Sequence, residues 1–320
     1  MKESIITVTQ SSPEVVGRGP RPRARRRGWR PPGLAIVVAL LALAGVLTVM
    51  YPTIAAWFSQ KTQSEVIERL SAEVGQLPAT ARDDAIAQAH AYNDALTGSS
   101  ALLGSYENVP QGEATAAGDL AYADVLRADG TGLIGRIKIP AIGVDLPIYH
   151  GTSDATLLRG VGHLEGTALP VGGAGTHSVL TGHRGLADAE LFTHLDAVSV
   201  GDTFAIEVFG QVLTYRVTGT TVVDPSDTET LYPVRGEDLV TLVTCTPLGI
   251  NSQRILVTGE RVTPTPVEEL QHAGEVPDVP GFPWWAVVLA SVVLVLAVYV
   301  WLMGRRRPQD DLATDPPQGE

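Results

Sequence analysis

Two long apolar stretches constrain this chain more than any other feature of its sequence. Residues 33–51 and 284–303 consist almost entirely of Ala, Leu, Val and other apolar residues, and neither contains a charged side chain. Each stretch is close to the ~20 residues that a helix needs to cross a lipid bilayer. The residues between them, 52–283, are therefore expected to form a separate domain on one side of a membrane.

Basic side chains flank the two stretches. Residues 1–33 carry eight Lys and Arg against two Glu, and Arg305, Arg306 and Arg307 directly follow the second stretch. Because basic flanks stay in the cytoplasm, both termini are predicted to be cytoplasmic and residues 52–283 to lie outside the cell. The two apolar stretches would then span the cell membrane. The first stretch could instead be a cleaved signal peptide. Its length, and the lack of a clear small-x-small cleavage site after it, favour an uncleaved span.

The chain between the two stretches is acidic. It carries 12 Lys and Arg against 29 Asp and Glu, a net charge of −17, whereas the whole chain carries −12. Such a surface repels a phosphate backbone, so no nucleic-acid partner is expected. The basic run at the N-terminus is interpreted as a stop-transfer flank, because it directly abuts an apolar span.

Composition and periodicity divide the chain into eight consecutive segments. The spacing of apolar residues after the first span predicts two helices, which Pro78 separates. The segments are a cytoplasmic basic tail (1–32), a transmembrane helix (33–51), a helical extension (52–97), a Gly- and Ala-rich lid or linker (98–130), a β-rich domain (131–262), a Pro-rich tether (263–283), a second transmembrane helix (284–303) and a cytoplasmic tail (304–320).

The β-rich domain is defined by short apolar, β-branched runs between turn residues. Such runs at this spacing predict a mainly β fold, either a closed barrel or a sandwich. Residues 188–195 are predicted to form a short helix. The predicted strands are residues 135–139, 144–149, 178–181, 203–208, 211–220, 239–244 and 254–262.

Cys245 is the only cysteine in the chain, so it cannot form an internal disulfide. It ends one predicted strand and enters a loop that contains Pro247 and Gly249. A thiol in such a place is a candidate nucleophile when a histidine and a cation lie nearby. The histidine can transfer the protons, and a guanidinium can stabilise an oxyanion. His183 and Arg254 are the candidates for these two roles, and an antiparallel hairpin can place Arg254 beside Cys245.

Each of these residues also has an ordinary structural interpretation. A lone cysteine is most often a small buried apolar residue, and a single His or Arg near a strand end is usually solvated or structural. His150, His163 and His177 are predicted to be structural. The sequence contains no zinc, calcium, phosphate-loop or dinucleotide motif, so no cofactor and no metal ion are expected.

The arrangement of these residues resembles the sortases, which are membrane-bound cysteine transpeptidases of Gram-positive bacteria. The resemblance covers about residues 130–262. It rests on six segments in the same order: IKIPAIGVDLPIYHGT (137–152), GVGHLEGT (160–167), LPVGG (169–173), GTHSVLTGHRGL (175–186), TLVTCTP (241–247) and NSQRILV (251–257). Among sortases, the two spans and the long N-terminal extension are similar to class C, the enzymes that polymerise pilins.

The resemblance implies an eight-stranded β-barrel with short helices and a defined chemistry. Cys245 would attack the Thr–Gly bond of an LPxTG-like sorting signal, and a pilin lysine would resolve the thioacyl enzyme in pilus assembly. His183 would correspond to the histidine that acts as acid and base in sortases, and Arg254 to the arginine that stabilises the oxyanion. Thr244 would contact the substrate. The implied partners are LPxTG-bearing pilins or surface proteins.

Class C sortases usually carry a lid with an Asp-Pro-aromatic motif, and no such triplet precedes the β-rich domain. Residues 98–130 are a lid candidate in which Tyr106 or Tyr122 replaces the motif. Three other functions stay open at this point. They are a housekeeping sortase that anchors surface proteins to peptidoglycan, a cysteine hydrolase, and a bitopic surface scaffold without catalysis.

Overall fold

The computed structural model describes residues 29, 32–98, 121–127, 130–277 and 279–305. Its central element is a closed barrel of eight strands, in the order β1-β2-β3-β4-β7-β8-β6-β5. The predicted fold class, an eight-stranded β-barrel with short helices, is therefore confirmed. The strands are β1 (Leu133–Ile139), β2 (Val144–His150), β3 (Val161–His163), β4 (Thr176–Thr181), β5 (Thr203–Val208), β6 (Gln211–Val223), β7 (Asp238–Thr246) and β8 (Gln253–Arg261).

Most neighbouring strands in the barrel are antiparallel, as expected for strands joined by short connections. Two pairs are parallel instead, β2 with β3 and β4 with β7. The second of these pairs places the ends of β4 and β7 at the same edge of the barrel, because parallel strands end together. Strand β8 closes the other side of β7 in an antiparallel ladder.

The described residues also form five α-helices: α1 (Gly33–Gln76), α2 (Ala79–Gly98), α3 (Asp154–Leu157), α4 (Val267–Gln271) and α5 (Trp284–Gly304). Helix α1 continues without a break from the apolar stretch into the helical extension, even though Pro52 lies inside it. The break between α1 and α2 falls at Leu77 and Pro78. Helices α1 and α5 are the two described helices that are long and apolar enough to cross a membrane.

The chain divides into two compact units. The first contains α1 up to Ala44 and α5 from Ser291 onward. Within it, the indole Nε1 of Trp29 donates to the carbonyl of Trp301 at 3.4 Å, and the guanidinium of Arg305 lies 3.5 Å from the centroid of the Trp301 ring. The second unit, residues 45–290, contains the barrel.

The barrel has a main core inside and a smaller apolar cluster on its outer face. Along β7, Val240 and Leu242 belong to the main core, whereas Val243 belongs to the outer cluster with Leu256 and Val179. This alternation follows from the period of two in a β-strand. It also defines which side chains at the end of β7 point outward.

Two local predictions differ from the structure. Residues 188–194 form a bend and turns and not an α-helix, and Leu195 begins a short 3-10 helix (Leu195–Ala197). The N–H of Phe192 donates to the carbonyl of His183 at 3.0 Å, outside the segment, so a continuous helical ladder does not form there. Strand β3 was not among the predicted strands. It has three residues, too few for a periodic pattern, and becomes a strand by pairing with β2 and β4.

Tyr122 lies in the core and not in the position of an active-site plug. Its side chain is 3% exposed, its hydroxyl lies 2.8 Å from Nδ1 of His163, and it accepts the N–H of Gly151 at 3.0 Å. Its ring packs edge-on against His150 with centroids 4.8 Å apart. Tyr106 and most of the lid candidate, residues 99–120, lie outside the described residues.

His163 is fully buried and neutral in this setting. Its Nε2 lies 2.8 Å from the carbonyl of Ala168, which can only accept, so Nε2 carries the proton and Nδ1 accepts from Tyr122. Burial lowers the pKa of His163 to about 3. The structural role predicted for this histidine agrees with these contacts.

This burial predicts a loss of stability in acid. The unfolded chain protonates His163 near its ordinary pKa of 6.5, whereas the folded protein does so only near 3. Unfolding therefore takes up a proton between these values, and the free energy of unfolding falls as the pH decreases, by up to about 1.4 kcal/mol per pH unit. Above pH 6.5 this contribution no longer changes. His163→Gln is expected to be less stable at pH 7 but to show a shallower decline toward pH 4.

Denaturant titrations of the full chain in detergent, followed by far-ultraviolet circular dichroism between pH 4 and 7, measure this slope. His272→Gln is the matched control, because the side chain of His272 is 62% exposed and its contact with Glu275 raises its pKa. An acid slope that is the same in His163→Gln and in the unaltered protein would contradict the prediction.

Candidate active site

The ladder between β7 and β8 places Cys245 directly opposite Arg254. Directly opposed residues of an antiparallel pair have Cβ atoms about 4.5–5.5 Å apart and lie on the same face of the sheet. Both side chains are partly exposed, and Cys245 is a free thiol. The hairpin predicted from the sequence therefore brings the candidate nucleophile and the candidate cation together.

Cys245 and Arg254 lie on the outer face of the barrel. Two residues back along β7, Val243 belongs to the outer apolar cluster, and on β8 Leu256 does the same. Since side chains alternate along a strand, Cys245 shares the face of Val243, and Arg254 shares the face of Leu256. Cys245 is thus partly exposed on the outer face of the barrel, next to the buried apolar side chains of Val243 and Leu256 on the same face.

His183 lies beside the end of β7, on the side opposite to β8. The parallel register pairs Thr181 with Val243, and the N–H of Gly182 donates to the carbonyl of Val243 at 3.0 Å. His183 follows β4 by two residues, as Cys245 follows Val243, so continuing this register would bring His183 to the level of Cys245. The structure thus gathers Cys245, His183 and Arg254 on three adjacent chain segments at one edge of the barrel.

The side chains of His183 and Arg254 keep free hydrogen-bonding capacity. Among the described residues, the imidazole of His183 makes no hydrogen bond to another side chain or to the backbone. Only Nη1 of Arg254 is engaged, with the carbonyls of Asn251 and Gln253 at 3.0 Å each. The Nε and Nη2 donors of Arg254 have no partner in the described part of the chain, so they can bind an oxygen that develops negative charge.

Thr244 is buried behind the site. Its side chain is 1% exposed, and its Oγ1 donates to the carbonyl of Gly182 at 2.7 Å. The hydroxyl therefore holds the residue that precedes His183, and it points away from the face that carries Cys245. Substrate binding by Thr244 stays a prediction from the resemblance. The contact that the structure shows is the hydrogen bond to Gly182, which holds the backbone before His183.

A line of polar contacts continues along the outer face below the site. Nδ1 of His177 lies 3.1 Å from the carbonyl of Tyr232, and its Nε2 lies 2.7 Å from Oγ1 of Thr241, which contacts Oγ1 of Thr258 at 2.9 Å. Burial lowers the pKa of His177, so the ring is neutral, with its proton on Nδ1. These contacts attach the connection between β6 and β7 to the barrel, on the strand β4 that leads to His183.

Arg184 lies in the motif GTHSVLTGHRGL (175–186) and is a residue of the site for which no role was predicted. Its side chain is 7% exposed. Its Nε donates to the carbonyl of Thr193 and its Nη1 to Oγ1 of Thr246, each at 3.0 Å, and its Nη2 pairs with Asp196. The signal available in the sequence was an arginine directly after a candidate catalytic histidine.

Among the residues that the structure describes, no group of three or more His, Cys, Asp or Glu could hold a metal ion. His150, His163 and His177 each bond to backbone carbonyls within the fold. The expectation that no cofactor is required stays a prediction.

Comparison with known proteins assigns the domain. The family model described as Sortase domain matches residues 137–262, which include all three candidate catalytic residues. Sortase A of Bacillus anthracis is 31% identical over 144 residues, which are 45% of this chain and 67% of that protein. The chain belongs to the sortase family. Sortases are cysteine transpeptidases that act on LPxTG-type surface proteins, and this confirms the predicted enzyme class.

Solved structures of sortase C enzymes are similar to this sortase. Sortase C-1 of Actinomyces oris is 49% identical with a TM-score of 0.53, and the match covers 58% of this chain and 99% of that one. Sortase C of Streptococcus pneumoniae is 39% identical with a TM-score of 0.52, covering 62% and 96%, and its structure is described in terms of pilin substrate specificity. The predicted resemblance to class C is confirmed at the level of structure.

The contact between Thr244 and Gly182 predicts a specific sensitivity of the site. Thr244→Val leaves the carbonyl of Gly182 buried without its hydroxyl donor, which costs about 1–3 kcal/mol of stability. Because the same contact holds the chain next to His183, cleavage of an LPxTG peptide is expected to slow by about 10- to 100-fold. Thr244→Ser retains the hydroxyl and is expected to keep most of both properties.

The measurement compares kcat/KM for the peptide with the thermal unfolding midpoint in the two variants and the unaltered enzyme. Equal activity in Thr244→Val and Thr244→Ser would show that the contact does not position His183.

Proposed function

We propose that this sortase cleaves LPxTG-like sorting signals at the Thr–Gly bond through a thioacyl intermediate on Cys245, and joins the product to a lysine of a pilin subunit. The observation that carries the proposal is the pairing of Cys245 with Arg254 in one ladder, with His183 following the parallel neighbour of the same strand. Nucleophile, cation and acid–base group thus come together on an outward face.

In the first half of the reaction, the thiol proton of Cys245 goes to His183, and the thiolate sulfur forms a bond to the carbonyl carbon of the threonine. The carbonyl oxygen becomes an oxyanion, for which the free Nε and Nη2 donors of Arg254 are suitable partners. The C–N bond to the glycine then breaks, and protonated His183 gives its proton to the departing amine. The product is a thioester on Cys245.

In the second half, an amine attacks the thioester carbon. Neutral His183 removes the proton that the amine loses on attack, and the sulfur of Cys245 leaves as the thiolate. A new amide bond replaces the thioester, so no external energy source is needed. With a lysine side chain as the amine, the product is an isopeptide bond between two subunits.

The choice of a pilin lysine rests on similarity to sortase C enzymes and on the arrangement of segments in this chain. Helices α1 and α2 form an extension before the barrel, and both ends of the chain carry an apolar helix. Anchoring of surface proteins to peptidoglycan is the main alternative, since it requires the same thioester and differs only in the amine.

The proposed placement of the protein follows from the two apolar helices and their basic flanks. Residues 33–51 and 284–303 would span the cell membrane, with the tails 1–32 and 304–320 in the cytoplasm and the catalytic domain, 131–262, outside. Residues 263–283 would tether the barrel to the second span. The barrel would thereby be held close to membrane-anchored substrates.

The decisive experiment looks for the thioester. The full-length enzyme in detergent is incubated with an LPxTG peptide, and mass spectrometry measures an adduct on Cys245. An adduct is expected in the unaltered enzyme and none in Cys245→Ala, because this variant removes the only thiol of the chain. Circular dichroism should be the same for both proteins, since the side chain at 245 is partly exposed and small.

The amine is identified by adding either a pilin domain with its lysine or a peptidoglycan-type amine. An isopeptide-linked pilin product supports the proposal. Ligation of the peptidoglycan amine alone would replace it with wall anchoring, and release of free acid that does not depend on any amine would replace it with hydrolysis. An undiminished amount of isopeptide-linked pilin product with Cys245→Ala would overturn the cysteine mechanism itself.

A further inference from the structure

Arg184 connects the two chain segments that carry the acid–base group and the nucleophile. It directly follows His183, and its Nη1 donates to Oγ1 of Thr246, which directly follows Cys245. The contact thus runs alongside the proposed pair of His183 and Cys245, one residue further along both segments. Among the described hydrogen bonds between these two segments, it is the one that joins two side chains, whereas Thr244 donates to the backbone carbonyl of Gly182.

The other donors of Arg184 hold the loop that follows it. Nε donates to the carbonyl of Thr193 at 3.0 Å, and the N–H of Gly185 donates to Oγ1 of Thr193 at 3.1 Å. The N–H of Phe192 donates to the carbonyl of His183 at 3.0 Å. The backbone of His183 is therefore fixed from the loop side, while Arg184 ties the same loop to the end of β7.

The loop cannot supply this order through regular structure. Strand β4 ends at Thr181, and residues 184–194 form bends, irregular backbone and turns. Without a ladder or a helix, the direction of the His183 side chain depends on the few contacts that hold its neighbours. Arg184 makes three of these contacts, to Thr193, Thr246 and Asp196, with a single planar group whose donors are spaced in a rigid fork.

We propose that Arg184 is a positioning residue for catalysis, which sets the alignment of His183 with Cys245 by bridging the loop and Thr246. The inference rests on the proposed function, because it assigns Arg184 to the reaction of those two residues. Arg184 touches neither substrate nor reacting atoms in this role. A displacement of about 1 Å in such a pair costs up to about 100-fold in rate, which is the scale of effect expected.

The test uses the full-length enzyme in detergent and four variants. Arg184→Gln removes the charge and most donors, Arg184→Lys keeps the charge but has no fork, and Thr246→Val removes the acceptor on β7. Arg261→Gln is the matched control. Arg261 also contacts a threonine hydroxyl (Thr265), a carbonyl (Thr214) and a carboxylate (Asp238), but it lies at the other end of β8 from Arg254.

Three quantities are measured for each variant: the rate of thioester formation on Cys245 in a single turnover, the KM for the LPxTG peptide, and the thermal unfolding midpoint. Arg184→Gln is expected to slow thioester formation by about 10- to 100-fold with less than about a threefold change in KM. Arg184→Lys should recover part of that loss. Thr246→Val should slow the same step, and the double variant should be no slower than Arg184→Gln alone.

Arg261→Gln is expected to lower the unfolding midpoint while thioester formation per folded enzyme stays unchanged. The inference is overturned if Arg184→Gln loses activity only in proportion to its loss of folded protein, if its effect lies in KM, or if the effects of Arg184→Gln and Thr246→Val multiply in the double variant. Failure of the proposed function is recognised separately, because then the unaltered enzyme forms no thioester.

Discussion

Strand β7 is hydrogen-bonded on both sides, in parallel to β4 and antiparallel to β8, and the rest of the site depends on the register of these two ladders. The antiparallel ladder sets Arg254 opposite Cys245. The parallel ladder brings the end of β4, and with it His183, to the same edge. A shift of one residue in either ladder would turn one of these side chains to the opposite face, because side chains alternate along a strand.

The apolar side chains of β7 make such a shift costly. Val240 and Leu242 point into the main core, and Val243 packs into the outer cluster. A slip by one residue would exchange these two environments along the whole strand. The packing of the barrel thus specifies the register, and the register places the thiol on an outward face with a cation beside it. Stability and site geometry have the same physical origin in this domain.

Beyond the end of β4 at Thr181 no strand pairing holds the chain, and individual polar contacts fix the position of the residues around His183. Thr244 reaches from inside the barrel to the carbonyl of Gly182, and Arg184 reaches from the loop to Thr246. One contact lies just before His183 and the other just after it. The histidine is therefore held from two sides while its imidazole keeps its own hydrogen-bonding capacity, as an acid–base group requires.

Much of this architecture could be predicted from the sequence, since a strongly periodic segment indicates a strand or helix and a long charge-free apolar segment indicates a membrane span. The two apolar stretches, the helices on either side of Pro78 and seven of the eight strands are of this kind. So are the three candidate catalytic residues, which lie in distinctive local motifs.

The tertiary structure alone decided the rest. Strand β3 exists because β2 and β4 offer it partners. The segment 188–195 does not form the predicted helix, because Phe192 bonds back to His183 and Thr193 accepts from Arg184. Tyr122 lies in the core because His163 and Gly151 bind its hydroxyl. The sequence by itself thus pointed to the candidate catalytic residues through local motifs, while contacts between residues far apart in the chain decided how those residues are arranged.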